Sequence, residues 1–135
     1  MKILINNSVT EIYNNKLYDY YIFDSNMPII TSEFIKKNKY YTYLIINIDI
    51  NCINEPMENS YIHLLIINNS NIIFDYKKPT PLKNSGINLY HILLYEKTNF
   101  FYVKKNDIIN INLNNFVNKY NLILIDKFIL QVIHQ

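Results

Sequence analysis

The sequence predicts an all-β protein, an antiparallel β-sandwich with one short helix near the C-terminus. Three observations carry this. The apolar positions are filled mainly by Ile, Tyr, Phe, Val and Thr, which suit a pleated surface, while the helix formers Ala and Arg are absent. Several runs alternate with a period of two or are apolar on both faces. Half of the 135 residues are hydrophobic and only 18% are charged, which excludes a disordered tail and allows a sizeable core. No Pro/Gly/Ser-rich linker and no internal repeat divides the chain, so one domain, 1–135, is expected.

The elements follow in order. Lys2–Ile5 and Leu17–Phe23 are short strand candidates. Tyr41–Ile50 alternates, with Leu44, Ile46, Ile48 and Ile50 on one face and Tyr43, Ile45, Asn47 and Asp49 on the other. Tyr61–Asn68 places Tyr61, His63, Leu65 and Ile67 opposite Ile62, Leu64 and Ile66. Apolar residues on both faces predict a strand covered from two sides. Ile72–Phe74 is a weaker candidate, and Pro79, Pro81 and Gly86 mark a loop. Ile87–Tyr95 is a third strong run, with Asn88 and Tyr90 on one face. Phe100–Val103 and Leu122–Val132 are further strand candidates. Between them, Asn112 caps a helix over Asn114–Lys119, which sets Phe116 and Tyr120 four apart on its inner side.

The composition is skewed: there are 23 Asn, 26 Ile and one Gly. Asn, Ile, Lys and Tyr have AT-rich codons, so the skew is that of a very AT-rich genome, such as those of some viruses and protozoa. No single Asn is therefore read as functional on its own. Two Asn-x-Ser sequons begin at Asn6 and Asn68. With 23 Asn and 11 Ser or Thr, roughly two are expected by chance, so they carry no weight.

Charge excludes further classes. The net charge is +2 and all 13 basic residues are Lys. The Lys groups at 36, 37 and 39, at 77 and 78, and at 104 and 105 read as solvated loops, so no nucleic-acid partner is expected. Cys52 is the only cysteine, which excludes an internal disulfide. No apolar run approaches the roughly 20 residues of a membrane span, and the N-terminus does not read as a signal peptide. The cytoplasm is the expected location.

Catalytic signatures are scarce. A single Gly excludes a phosphate-cradling glycine loop and a nucleophile elbow. His63, His91, His134 and Cys52 lack metal-ligand spacing, so no metal and no cofactor are expected. Glu55 and Glu58 flank Pro56 in a loop and read as solvated. One constellation stands out. Asn47 and Asp49 close one strand, His63 interrupts an apolar strand, and Asn88 and Tyr90 share a face just after the loop of Pro81, Lys83 and Ser85. A polar group in an apolar run is costly unless hydrogen-bonded. If the three strands are neighbours, these groups converge as the few fixed donors and acceptors of a small ligand site. The competing reading is a satisfied core histidine among Asn residues supplied by codon bias.

The stretch from Tyr41 to Leu122 resembles the phosphatidylethanolamine-binding protein (PEBP) family. Tyr41 to Asn51 is similar to that family's strand ending in Asp-Pro-Asp-x-Pro, with Asn47 and Asp49 in place of the two Asp. His63 takes the place of the binding-site His, and Tyr61 that of the aromatic two residues earlier. Pro81 to Tyr90 resembles Pro-Pro-x-Gly-x-Gly-x-His-Arg-Tyr, with Gly86 where a glycine is asked for, and Leu93 to Glu96 also fits. Asn115 to Leu122 resembles the helix Phe-x-x-Lys-Tyr-x-Leu.

The resemblance implies a PEBP-like β-sandwich whose pocket takes a phosphate-like or phospholipid head group. It also implies action through a protein partner such as a kinase or other signalling protein, without catalysis. The ligand-binding positions it marks are Asn47, Asp49, Tyr61, His63, Pro81, Asn88 and Tyr90. The departures are chemical. Asn47 replaces a carboxylate by an amide, Asn88 replaces a titratable His, and Leu82, Leu89 and Ile62 replace a Pro, an Arg and a His. The short stretch after Tyr120 leaves little room for that family's C-terminal helix, so a more open pocket is expected. These departures motivate the alternative, a structural or interaction protein that kept the sandwich and lost the ligand. A His63–Asp49 general-base pair is a third reading, for which no placed nucleophile is found.

Overall fold

The computed structural model describes residues 1–47, 56–57 and 61–135. Nine strands are described: β1 (Lys2–Ile5), β2 (Thr10–Ile12), β3 (Leu17–Asp19), β4 (Ile29–Thr31), β5 (Tyr40–Asn47), β6 (Ile62–Ile67), β7 (Asn71–Phe74), β8 (Ile87–Lys97) and β9 (Ile123–Ile133). Helices α1 (Lys105–Ile109) and α2 (Leu113–Lys119) lie between β8 and β9, and a 3-10 turn covers Tyr20–Ile22. The strands form a three-stranded sheet, β2-β1-β4, and a six-stranded sheet, β3-β9-β8-β5-β6-β7. All described pairings are antiparallel except β3 with β9.

The six-stranded sheet is covered on both faces, as its two-sided apolar strands require. On one face, Ile45, Leu64, Tyr90, Ile92 and Leu130 are buried against Ile3, Ile5 and Ile12 of the small sheet. On the other, Leu44, Ile46, Leu65, Leu93 and Tyr95 are buried against Ile108 of α1 and Leu113 and Phe116 of α2. β5 shows why the alternation is so regular: Leu44 and Ile46 belong to one core and Ile45 to the other.

Three local departures from the sequence reading stand out, and the first two have a clear physical cause. Phe100–Val103 is not a strand. Buried Asn68 instead donates from Nδ2 to the Phe101 carbonyl (2.7 Å) and accepts from the Phe101 amide (3.2 Å), so one side chain satisfies both backbone groups there. Helix α1 is additional to the single expected helix; its Ile108 is fully buried, so packing overrides weak propensity. The expected helix runs over Leu113–Lys119, with the Asn112 side chain accepting from the Asn115 amide at 2.8 Å. Finally, Leu17–Phe23 is strand only to Asp19 and then turns at Tyr20–Ile22.

Left-handed backbone is supplied mostly by Asn, with Ser8 and Gly86 the other described positions. Asn6, Asn7, Asn15, Asn68, Asn69, Asn84 and Asn121 all have positive φ, between 50° and 71°. In a chain with one glycine, Asn is the residue that takes this conformation at least cost.

Candidate functional site

β5 ends where β6 and β8 begin, and the site is built at that corner. Asn47 is paired in register with Tyr90 of β8, and its amide donates to the Tyr61 carbonyl at 3.0 Å, just before β6. The pairing of β5 with β6 then slips by one residue: Ile45 faces Leu64 while Ile46 faces Ile62, leaving His63 as an extra residue. This β-bulge sets the direction of His63. Strict alternation would send it with Leu65 and Ile67 toward the helices. The bulge gives that side to Ile62 and turns His63 onto Tyr90, edge to face, with ring centroids 4.9 Å apart.

The segment after β7 closes the corner. The Lys77 amide donates to the His63 carbonyl at 2.8 Å, and His63 Nδ1 lies 2.8 Å from the Lys77 carbonyl. A carbonyl only accepts, so Nδ1 carries the proton and donates; in the neutral ring Nε2 is then an acceptor. His63 is 5% exposed. Burial lowers its pKa from the ordinary imidazole value, with the hydrogen bond to Lys77 pulling upward and the Lys77 charge pulling further down. Burial likewise lowers the Lys77 pKa, and Lys105 adds to it. Tyr76 next door is pushed far up by burial and then by Asp24 and Tyr90, so its hydroxyl stays protonated.

The result is a cavity of about 440 Å3 lined by Asn47, His63, Pro81, Asn88 and Tyr90, together with Lys77, Thr80, Leu82 and Ser85. Asn88 Nδ2 donates to Ser85 Oγ (3.1 Å) and to the Gly86 carbonyl (3.3 Å), and Ser85 Oγ donates to the Leu82 carbonyl (2.6 Å). The loop turns at Gly86, whose φ of +85° is open to glycine and strained for other residues.

Five of the seven residues marked in the sequence therefore meet at one cavity. Tyr61 does not line it; its side chain is partly buried against the helix-side core, and its backbone receives the Asn47 amide. Asp49 lies outside the described residues. Sequence reasoning missed Lys77, which read as half of a solvated pair. Its one signal is its place two residues before Pro79 in the loop that leads to Pro81. Among the described residues, no group of three or more His, Cys, Asp or Glu is placed to hold a metal ion. Nor is any described helix long and apolar enough to cross a membrane.

No family model matches the sequence, and no curated protein does. Solved structures do. The chain is similar to one in the crystal structure of carboxypeptidase Y inhibitor complexed with its cognate proteinase: 14% identity, TM-score 0.72, 99% of this chain and 82% of that one. It is similar to the phosphatidylethanolamine-binding protein from Plasmodium vivax, with 14% identity, TM-score 0.66, and 99% and 85% covered. It is similar also to the phosphatidylethanolamine-binding protein from Plasmodium falciparum, with 14% identity, TM-score 0.64, and 97% and 83% covered. The strand-rich architecture and these likenesses together show that the chain has the PEBP fold, at great sequence distance.

Proposed function

We propose that this chain is a non-enzymatic PEBP-type binding protein whose cavity beside His63 takes a small phosphate-like oxyanion. The observation that carries the reading is the convergence of Asn47, His63, Lys77, Asn88 and Tyr90 on one cavity. Lys77 supplies positive charge and the side-chain amide of Asn47 a neutral donor, while Asn88, whose two amide hydrogens go to Ser85 Oγ and the Gly86 carbonyl, fixes the loop that walls the cavity. His63 supplies a second cation once Nε2 takes a proton, which an anion beside it favours. Asp49, by the family pattern, orients a ligand group or the imidazole. Tyr61 acts through its backbone. The protein acts through a protein partner, as one of its structural neighbours, carboxypeptidase Y inhibitor, does with a proteinase.

A serine hydroxyl in the cavity wall speaks against catalysis. Ser85 Oγ donates to a backbone carbonyl and accepts from Asn88, and no imidazole or carboxylate among the described residues bonds to it. The experiment is a titration with inorganic phosphate followed by NMR. Shifts at His63 and Tyr90 are expected; silence at both in millimolar phosphate removes the anion reading. The second reading, a sandwich that has lost its ligand, is favoured by the neutral state of His63 and by the amides at 47 and 88. It requires that silence.

A further inference from the structure

A second cavity adjoins the first, and no resemblance or likeness assigns it. It also measures about 440 Å3 and shares Thr80 and Pro81 with the cavity of His63. Its remaining walls are Tyr20, Tyr21, Phe23, Lys78 and His134. The sharing follows from the backbone. Residue 77 is held to His63 by hydrogen bonds in both directions, so the chain runs extended past the start of β6. Successive side chains of extended chain point to opposite sides. Lys77 therefore lines the first cavity and Lys78 the second.

The second cavity is also held in place. His134 Nδ1 donates to the Pro81 carbonyl at 3.1 Å, the Asn84 amide donates to the His134 carbonyl at 2.7 Å, and the Tyr20 and His134 rings stack at 3.7 Å. Neither cavity has a carboxylate among its described lining residues, and Lys78 is in no ion pair with a described residue.

We propose that the two cavities form one divided site for a ligand bearing two oxyanion groups, one beside His63 and Lys77, the other beside Lys78 and His134. The ridge of Thr80 and Pro81 sits between the two groups and sets the spacer. The proposal rests on the anion reading of the first cavity. A linker of matching length makes the second contact intramolecular, so affinity rises without change in either contact.

The test compares methylphosphonate, phenylphosphonate and α,ω-alkane bisphosphonates of increasing spacer length by calorimetry at fixed ionic strength. At one spacer length the bisphosphonate is expected to bind at least about tenfold tighter than methylphosphonate. Lys78→Gln is expected to abolish that gain and to leave methylphosphonate within about twofold of wild type. No gain at any spacer, or a gain that survives Lys78→Gln, overturns the divided site while leaving the first cavity's reading intact. A phenylphosphonate gain as large, and equally indifferent to Lys78→Gln, overturns it in favour of an aromatic-binding second cavity. Failure of both methylphosphonate and the bisphosphonates to bind removes both proposals together.

Discussion

Replacing His63 by Ala probes the site from the folding side. The wild-type ring makes one hydrogen bond to the Lys77 carbonyl, one edge-to-face contact with Tyr90, and is almost fully buried. The hydrogen bond is worth about 1 kcal/mol net, since the freed carbonyl opens onto a cavity that water can fill. The aromatic contact adds about 1 kcal/mol and the lost burial about 1–2 kcal/mol. The expected cost at neutral pH is therefore about 3–4 kcal/mol. That cost has a definite pH dependence. The folded-state pKa of His63 is depressed, so as pH falls below the unfolded value of about 6.5 the unfolded chain takes up more protons at this position. The wild type loses stability in that window and the Ala variant does not, at this position. The difference between them should shrink as pH falls, down to the folded-state pKa. Urea unfolding of both proteins at pH 7.5, 6.5 and 5.5 measures it. A difference that stays constant or grows on acidification would refute the claim that the fold holds His63 neutral.

Other consequences are as direct. Binding of sulfate, an oxyanion with no proton of its own to release near pH 7, should take up protons there, because the oxyanion raises the His63 pKa; titrations in buffers of differing ionisation enthalpy should show that uptake, and no buffer dependence would contradict it. Asn68→Ala should cost about 2–6 kcal/mol in urea unfolding, because it leaves two backbone groups of Phe101 without their partner; a loss under about 1 kcal/mol would mean the contact is not made. Phe116→Ala should cost about 3–5 kcal/mol, since that ring is fully buried where α2 meets the sheet. Gly86→Ala should lose about 1–2 kcal/mol through its positive φ alone, because nothing crowds the added methyl group.

The parts of this fold that were legible are those written in local pattern. The two-sided strands β5, β6 and β8 show as alternation or unbroken apolar runs, and the cap at Asn112 shows as a polar residue before Phe116. What was not legible is what depends on partners. β2 and β4 have three residues each and exist because β1 lies between them. The bulge at His63 is a property of pairing with β5, not of either strand, and it reverses the side on which alternation places the imidazole. Lys77 enters the cavity because its backbone is tied to His63, which a pair of adjacent lysines does not announce. The abundance of Asn has also changed meaning. Codon bias accounts for the number, but seven of these residues hold left-handed turns that glycine would otherwise hold. Asn47 and Asn88, by contrast, line the cavity from strands and set its charge.

The most direct test of the central claim is the nitrogen spectrum of the His63 imidazole near pH 7, free and in saturating inorganic phosphate. The account requires a neutral ring protonated at Nδ1 in the free protein and an imidazolium in the bound one. A ring protonated at Nε2 when free would contradict the hydrogen bond to Lys77 that shapes the site. A ring that stays neutral and unmoved in phosphate would contradict the binding of an oxyanion there.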